Sequence, residues 1–203
     1  MNTATQNIHE LHISRPTRVP SSPDEPATLV DVFKLVARRN KRPDTLNYKK
    51  NNQWISISSD ELMARAGRIA AGLYAIGVRQ GDRVALLSES RAEWTLTDTG
   101  CVFAGAIDVP IYPTLMPPQV RYILNDSGAS VLILEDRAKF DELKEILKEC
   151  SALRKIVVCE SVGVEDLDAL TLEQLEARGQ QMLVDQPQLV DQLSSKTTAE
   201  DLA

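Results

Sequence analysis

Histidine is nearly absent from the sequence. There are two, His9 and His12, both ahead of the first segment with helical periodicity. A Ser-His or Cys-His nucleophile is therefore excluded from the folded part on residue count alone. His9-x-x-His12 has the spacing of a metal pair on a helix, but no third ligand stands nearby, and the pair reads as solvated tail. No metal site is expected. Cysteine is scarce as well. Cys101, Cys150 and Cys159 are an odd count without a C-x-x-C pair, which fits a reduced, cytoplasmic setting. No run approaches about 18 consecutive apolar residues, so no membrane-spanning helix is expected. The first ten residues are polar and lack the apolar core of a secretory leader. Positive charge is in deficit: 23 Lys and Arg stand against 29 Asp and Glu, net −6. The longest basic runs are Arg38-Arg39 and Lys49-Lys50. Nucleic-acid binding needs a basic face that displaces counterions from phosphates, so no nucleic-acid partner is expected.

The usual catalytic signatures are missing too. There is no G-x-G-x-x-G after a strand and no G-x-x-x-x-G-K-[ST], so neither common phosphate cradle is present. That argues against an unrelated dinucleotide-binding domain. There is no G-x-S-x-G elbow. Asp141-Glu142 reads as the solvated face of a helix, and Cys101, between Gly100 and Val102, as a buried structural thiol.

What is there is the composition of a folded domain. Hydrophobic residues make up 43% and charged residues 26% of 203, enough for a core of its own. Residues 1–27 read as a flexible arm, because Pro16, Pro20, Pro23 and Pro26 recur among polar residues. Residues 28–203 read as the folded part. Thr28 opens a helix whose apolar stripe is Leu29, Val32, Phe33, Val36 and Ala37, stopped before Pro43. Residues 45–56 read as a β-hairpin around Lys49 to Gln53. Ser58 and Glu61 have capping-box spacing for a second helix that ends at Gly77.

Strands and helices then alternate. Apolar strands are expected at 84–87, 106–111, 129–134 and 155–159, with helices at 92–104, 118–127, 137–149 and 167–181. Continuous apolar strands between helices predict an α/β fold: a mostly parallel sheet flanked by helices, with an N-terminal β-hairpin. Ligands in such folds bind outside the carboxyl ends of the strands. Two segments follow such ends. In Val109-Pro110-Ile111-Tyr112-Pro113-Thr114, Tyr112 and Thr114 either border a site or serve the sheet edge. In Glu89-Ser90-Arg91-Ala92-Glu93-Trp94, Ser90 is a candidate helix cap with Glu93 at the third position, and Trp94 packs inward.

The order of these pieces resembles the N-terminal portion of AMP-forming acyl-CoA synthetases, of the long-chain fatty-acid–CoA ligase type within the adenylate-forming superfamily. The resemblance runs from about Thr28 to Ala203. It rests on Trp54-Ile55-Ser56-Ile57-Ser58 with Glu61-Leu62, then Leu73 to Val78, then Gly81-Asp82-Arg83-Val84-Ala85-Leu86. After these come Ser88 to Trp94, Gly105 to Thr114, and Tyr122-Ile123-Leu124-Asn125-Asp126-Ser127. Pro110-Ile111-Tyr112-Pro113-Thr114 leans toward the long-chain branch.

The resemblance implies a reaction of the whole enzyme: ATP, a fatty acid and coenzyme A give acyl-CoA, AMP and pyrophosphate, with Mg²⁺ and an acyl-adenylate between. It also implies an incomplete fold. The family's Thr-Ser-Gly-rich phosphate loop follows a stretch like Glu200-Asp201-Leu202-Ala203, and the mobile C-terminal domain with its catalytic lysine comes later still. None of the family's catalytic or ATP-binding residues therefore maps onto this sequence, and Tyr112 and Thr114 remain the only candidate rim residues. The chain is expected to be inactive in isolation, with no cofactor of its own, and its first partner is the remainder of the ligase chain. The alternative is a non-catalytic remnant that binds an acyl chain or docks onto an intact ligase. The cytoplasm, at the inner face of the membrane or free of it, is the expected location.

Overall fold

The computed structural model describes residues 25–160 and 168–202. His9, His12 and the arm up to residue 24 lie outside the described residues, as do Leu167, where the last helix was expected to start, and Ala203.

Helix α1 (Leu29–Arg39) is capped by Thr28, whose Oγ1 accepts from the Asp31 N–H at 3.1 Å. Asp31 Oδ2 in turn accepts from the Thr28 N–H at 3.0 Å, so two orphan donors are satisfied reciprocally. Thr28→Ala is expected to cost about 1 kcal/mol. The urea midpoint should fall with an unchanged slope, and no change in midpoint would mean that packing alone holds this end. The apolar stripe expected on α1 is only partly used. Val30 is buried and Phe33 meets Phe103 edge-on at 6.1 Å, whereas Leu29, Val32 and Val36 stay exposed. The helix touches α3 along its Val30–Phe33 side and turns the rest outward.

Strands β1 (Leu46–Lys50) and β2 (Gln53–Ile57) form the antiparallel hairpin. Its two-residue turn is Asn51-Asn52, with φ of 49° and 64°. Asparagine tolerates that left-handed region, which matches the twist of the flanking strands. Helix α2 (Ser59–Ala75) follows, and Ser58 Oγ accepts from the Glu61 N–H at 3.1 Å. Gly77, just past its end, has φ +100°, as a terminating glycine should.

The main sheet contains β3 (Arg83–Leu87), β4 (Ile107–Ile111), β5 (Val131–Leu134), β6 (Lys155–Val158) and β7 (Leu170–Thr171). Its order is β4-β3-β5-β6-β7 and every pairing is parallel. Between the strands run α3 (Ala92–Ala104), α4 (Pro117–Ser127) and α5 (Arg137–Leu147). Helices α6 (Leu172–Asp185) and α7 (Leu189–Ser194) follow β7.

Strand β5 is apolar at every position, and β3 and β6 are apolar after their first residue, because both faces are covered. Val84, Leu86, Val131, Ile133 and Val157 pack under α2, α3 and α6. Ala85, Leu87, Leu132 and Leu134 pack under α4 and α5. No helix among the described residues is long and apolar enough to cross a membrane.

Two differences from the expected elements are local. The helix expected at 167–181 runs from Leu172 to Asp185, because Thr171 and Gln174 make a reciprocal cap with both bonds at 3.0 Å. Leu170 and Thr171 thereby become a fifth strand, too short to show a period of two. Helix α7 is a six-residue element, too short to carry a readable periodicity.

Candidate functional site

From β3 the chain passes to β4 on one side, then returns to β5 on the other side of β3. The strand order therefore reverses between β3 and β5, and their carboxyl ends flank the crevice where α/β sheets bind ligands. Three segments meet there: Ser88 to Arg91 after β3, Glu135 after β5, and Cys159-Glu160 after β6. The hairpin closes one wall with Tyr48, Lys49, Lys50 and the exposed Trp54, leaving a cleft of about 980 Å³.

Arg91 organises the floor of the cleft. Its Nε donates to Glu93 Oε2 at 2.8 Å, and its Nη1 lies 3.2 Å from Glu160 Oε1 and 3.7 Å from Glu135 Oε1. Glu135 Oε2 also accepts from the Glu89 N–H at 2.8 Å, which ties the β3 and β5 ends together. Burial alone would lower the Arg91 guanidinium, but the bond and charge of Glu93, with help from Glu160, hold it well above its ordinary value. Glu93 is also half-buried, which pushes it up, yet Arg91 and backbone donors carry it below its ordinary value. The cluster is thus one permanent cation shared among carboxylates. Cys159 beside it is no nucleophile: burial, and the surrounding carboxylates after it, push the thiol up to about 12 against the pull of Arg91.

This floor does not suit a triphosphate. The guanidinium is already committed to carboxylates, and on the walls Glu89, Glu135, Glu160 and Glu173 outnumber the hairpin lysines Lys49 and Lys50. The helix N-termini at this edge have acceptors of their own. Glu93 lies in the first turn of α3, and Asp136 Oδ1 accepts from the Lys139 N–H at the start of α5 at 2.8 Å. Gln119 Oε1 accepts from the Met116 N–H at the start of α4 at 2.9 Å. Among the described residues no group of three or more His, Cys, Asp or Glu is arranged to hold a metal ion.

Tyr112 and Thr114 follow the carboxyl end of β4, both exposed, with Tyr112 at 78%. They are on the same edge of the sheet as the Arg91 cluster but are not among the residues lining its cleft. Their loop is anchored by Lys139 Nζ, which donates to the Pro113 carbonyl at 3.1 Å, and by the Leu115 N–H, which donates to the Tyr112 carbonyl at 3.1 Å. Ser90 does not cap α3. Arg91 takes the cap position, and Glu93, one residue earlier in the helix than expected, bonds Arg91 and makes no reciprocal cap with it. Trp94 is half-buried against the core as expected, and Cys101 is fully buried. Asp141 and Glu142 sit on a solvated helix face, paired with Arg137 and Lys139.

The sequence reading did not unite Arg91, Glu135 and Glu160. The available signal was that each stands within a few residues of the end of an apolar run, where a parallel sheet gathers its ends.

Comparison with known proteins follows the same outline. The model of the AMP-binding enzyme family matches residues 35–203. A long-chain-fatty-acid–CoA ligase, FadD15 of Mycobacterium bovis, is 34% identical over 131 residues, which are 64% of this chain and 22% of that ligase. The chain thus spans about a fifth of the length of that relative. A shorter relative, the uncharacterized protein Rv1549 of Mycobacterium tuberculosis, is 30% identical over 129 residues, covering 64% of this chain and 72% of that protein. Among solved structures, the anthranilate CoA ligase AuaEII in complex with anthranoyl-AMP superposes with a TM-score of 0.63 at 27% identity. That superposition covers 76% of this chain and 28% of the ligase.

Proposed function

The chain belongs to the AMP-binding enzyme family, and from that premise we propose that it is the N-terminal part of a long-chain fatty-acid–CoA ligase. The whole enzyme would couple ATP, a fatty acid and coenzyme A to acyl-CoA, AMP and pyrophosphate. In this reading residues 28–203 belong to the N-terminal subdomain of that enzyme. The observation that carries this reading is the family match across 35–203, in the company of relatives named as long-chain ligases.

In this reading the 203 residues scaffold a site that they do not complete. At the switch point the arginine is taken up by carboxylates, and five glutamates outnumber the two hairpin lysines, so in this reading ATP and Mg²⁺ depend on the remainder of the ligase chain. Tyr112 and Thr114 stand at the rim of the completed site, presented by the proline-braced exit from β4. The work belongs to the cytoplasm, where peripheral contact with the inner membrane face suits a long-chain substrate.

Calorimetry of the isolated chain with ATP and Mg²⁺ tests the division of labour. No saturable heat is expected into the millimolar range, and a site of millimolar strength or tighter overturns it. An antibody raised against residues 28–203 tests the activity. The natural protein that it recovers should form acyl-CoA from a long-chain fatty acid, with one AMP for each thioester.

A second reading is a non-catalytic module that binds an acyl chain or docks onto an intact ligase. Rv1549 favours it, because this chain covers most of that short relative. The outward stripe of Leu29, Val32 and Val36 gives such docking a surface. Recovery of a 22.5 kDa product without ligase activity would support this reading over the first.

A further inference from the structure

Asp108 sits in an unusual place for a carboxylate. It is the second residue of β4, the edge strand, and is in register with Val84 of β3. Alternation puts it on the same sheet face as Ala106 and Val84, toward α3. One of its oxygens, Oδ1, is buried and has no hydrogen-bond partner. A buried carboxylate oxygen without a donor is costly, and protonation is the cheapest remedy. The group facing it is another acid: Asp98 of α3, within hydrogen-bonding reach. Two carboxylates cannot donate to each other, so that contact is a hydrogen bond only when one of them carries a proton.

Among the described residues no lysine or arginine acts on either acid. Asp98 and Cys101 are what α3 adds near Asp108, and Cys101 is a fully buried thiol held neutral by burial and by the two acids. On β3, Arg83 stands on the opposite face to Val84. Helix α4, with Arg121 bonded to Glu149, covers that opposite face as well. From α1, which packs on α3, Lys34 is bonded to Asp191 of α7 and to Ser194. The hairpin lysines Lys49 and Lys50 line the switch-point cleft.

We propose that Asp98 and Asp108 share a single proton in the folded chain and act as a pH-sensitive clasp, which holds the edge strand β4 to α3 in acid and slackens it above neutrality. Burial first, then the charge and bond of Asp98, push Asp108 up to about 7, and burial also raises Asp98. The folded chain therefore binds a proton that the unfolded chain releases near 3.8. The stability from this pair is fully present below that value, declines as pH rises, and is lost once pH passes about 7. The proposal stands apart from the ligase reading, since it concerns only α3 and β4.

The test is a ¹³C NMR titration of the aspartate carboxyls in the full chain, with Asp98→Asn and Asp108→Asn used to assign them. One carboxyl of the pair should titrate near neutrality and its partner well below it. If both titrate below about pH 5 in the unaltered chain, the proposal is wrong. Thermal melts give an independent readout. The unaltered chain should lose about 9 °C in Tm between pH 5 and pH 8 beyond any loss in Asp108→Asn. In that variant the amide donates to Asp98 without needing a proton. Equal pH slopes in the two proteins would overturn the clasp. If Asp108→Asn does not fold, the titration of the unaltered chain decides alone.

Discussion

Replacing Glu176 with alanine is expected to destabilise the chain by about 3 kcal/mol, or roughly 10 °C in Tm. Glu176 of α6 is buried and holds two arginines of α2 at once. Arg65 Nη2 lies 2.7 Å from Oε1, and Arg68 Nη2 lies 3.1 Å from Oε2, each arginine adding its Nε. Burial alone would lower Arg65, but the bonds and charge of Glu176 outweigh it and hold the guanidinium above its ordinary value. Removing the acid leaves two partly buried cations one helical turn apart without the carboxylate that bonds both, and only the more distant charges of Glu93 and Glu61 still act on Arg65. The figure sits at the lower end for a broken buried pair because the two side chains keep 22% and 28% of their exposure. Glu176→Gln keeps an acceptor and the volume, and about half the loss is expected. Urea unfolding measures both. A loss under about 0.5 kcal/mol for the alanine variant would mean that the guanidiniums swing freely into water.

Gly179→Ala should be as damaging for a different reason. A Cβ built at Gly179 lies 1.8 Å from the Arg68 carbonyl oxygen and 2.8 Å from the Gly72 nitrogen. Both are backbone atoms of α2, and a helix backbone cannot yield as a side-chain tip can. Helices α2 and α6 must separate, which opens the layer containing Ile69, Leu73, Leu172 and Leu175. About 3 kcal/mol is expected, the upper end of overpacking costs. Gly67→Ala, on the facing helix α2, is the control. Its Cβ would meet Val190 Cγ2 at 3.8 Å, an ordinary contact, and the better helix propensity should leave stability unchanged or raise it by up to about 1 kcal/mol. Equal effects at the two glycines would show that close approach is not what holds α6 to α2.

The strands were legible because their environment is uniform. Val84-Ala85-Leu86-Leu87 and Val131-Leu132-Ile133-Leu134 are apolar at every position, since each residue faces one covered layer or the other. Parallel pairing followed from the intervening helices. Helix starts at Thr28 and Ser58 were legible because a cap is a contact between residues three apart. Helix α7 and strand β7 were not, since two to six residues hold too few periods to read.

The candidate site divides the same way. Tyr112 and Thr114 are candidates because a proline-braced segment after an apolar run is visible locally, yet they lie on the shared sheet edge and not in the cleft. The Arg91 cluster could not, because Glu160 lies 69 residues along the chain from its arginine. Asp98 and Asp108, though close in sequence, belong to a helix and a strand. Only the packing of α3 onto the sheet turns them toward one another.

The sequence by itself determined the α/β class, the order of strands and helices as far as β6, and the likeness to acyl-CoA synthetases. All of these rest on local periodicity, on caps and on motifs read in order. Tertiary structure alone decided which charges meet: Glu176 with Arg65 and Arg68, Arg91 with three carboxylates, and one aspartate with another. It also decided which face of α1 remains bare. Burial and pairing are properties of the layers that enclose a residue, and those layers are assembled from segments that the chain keeps far apart.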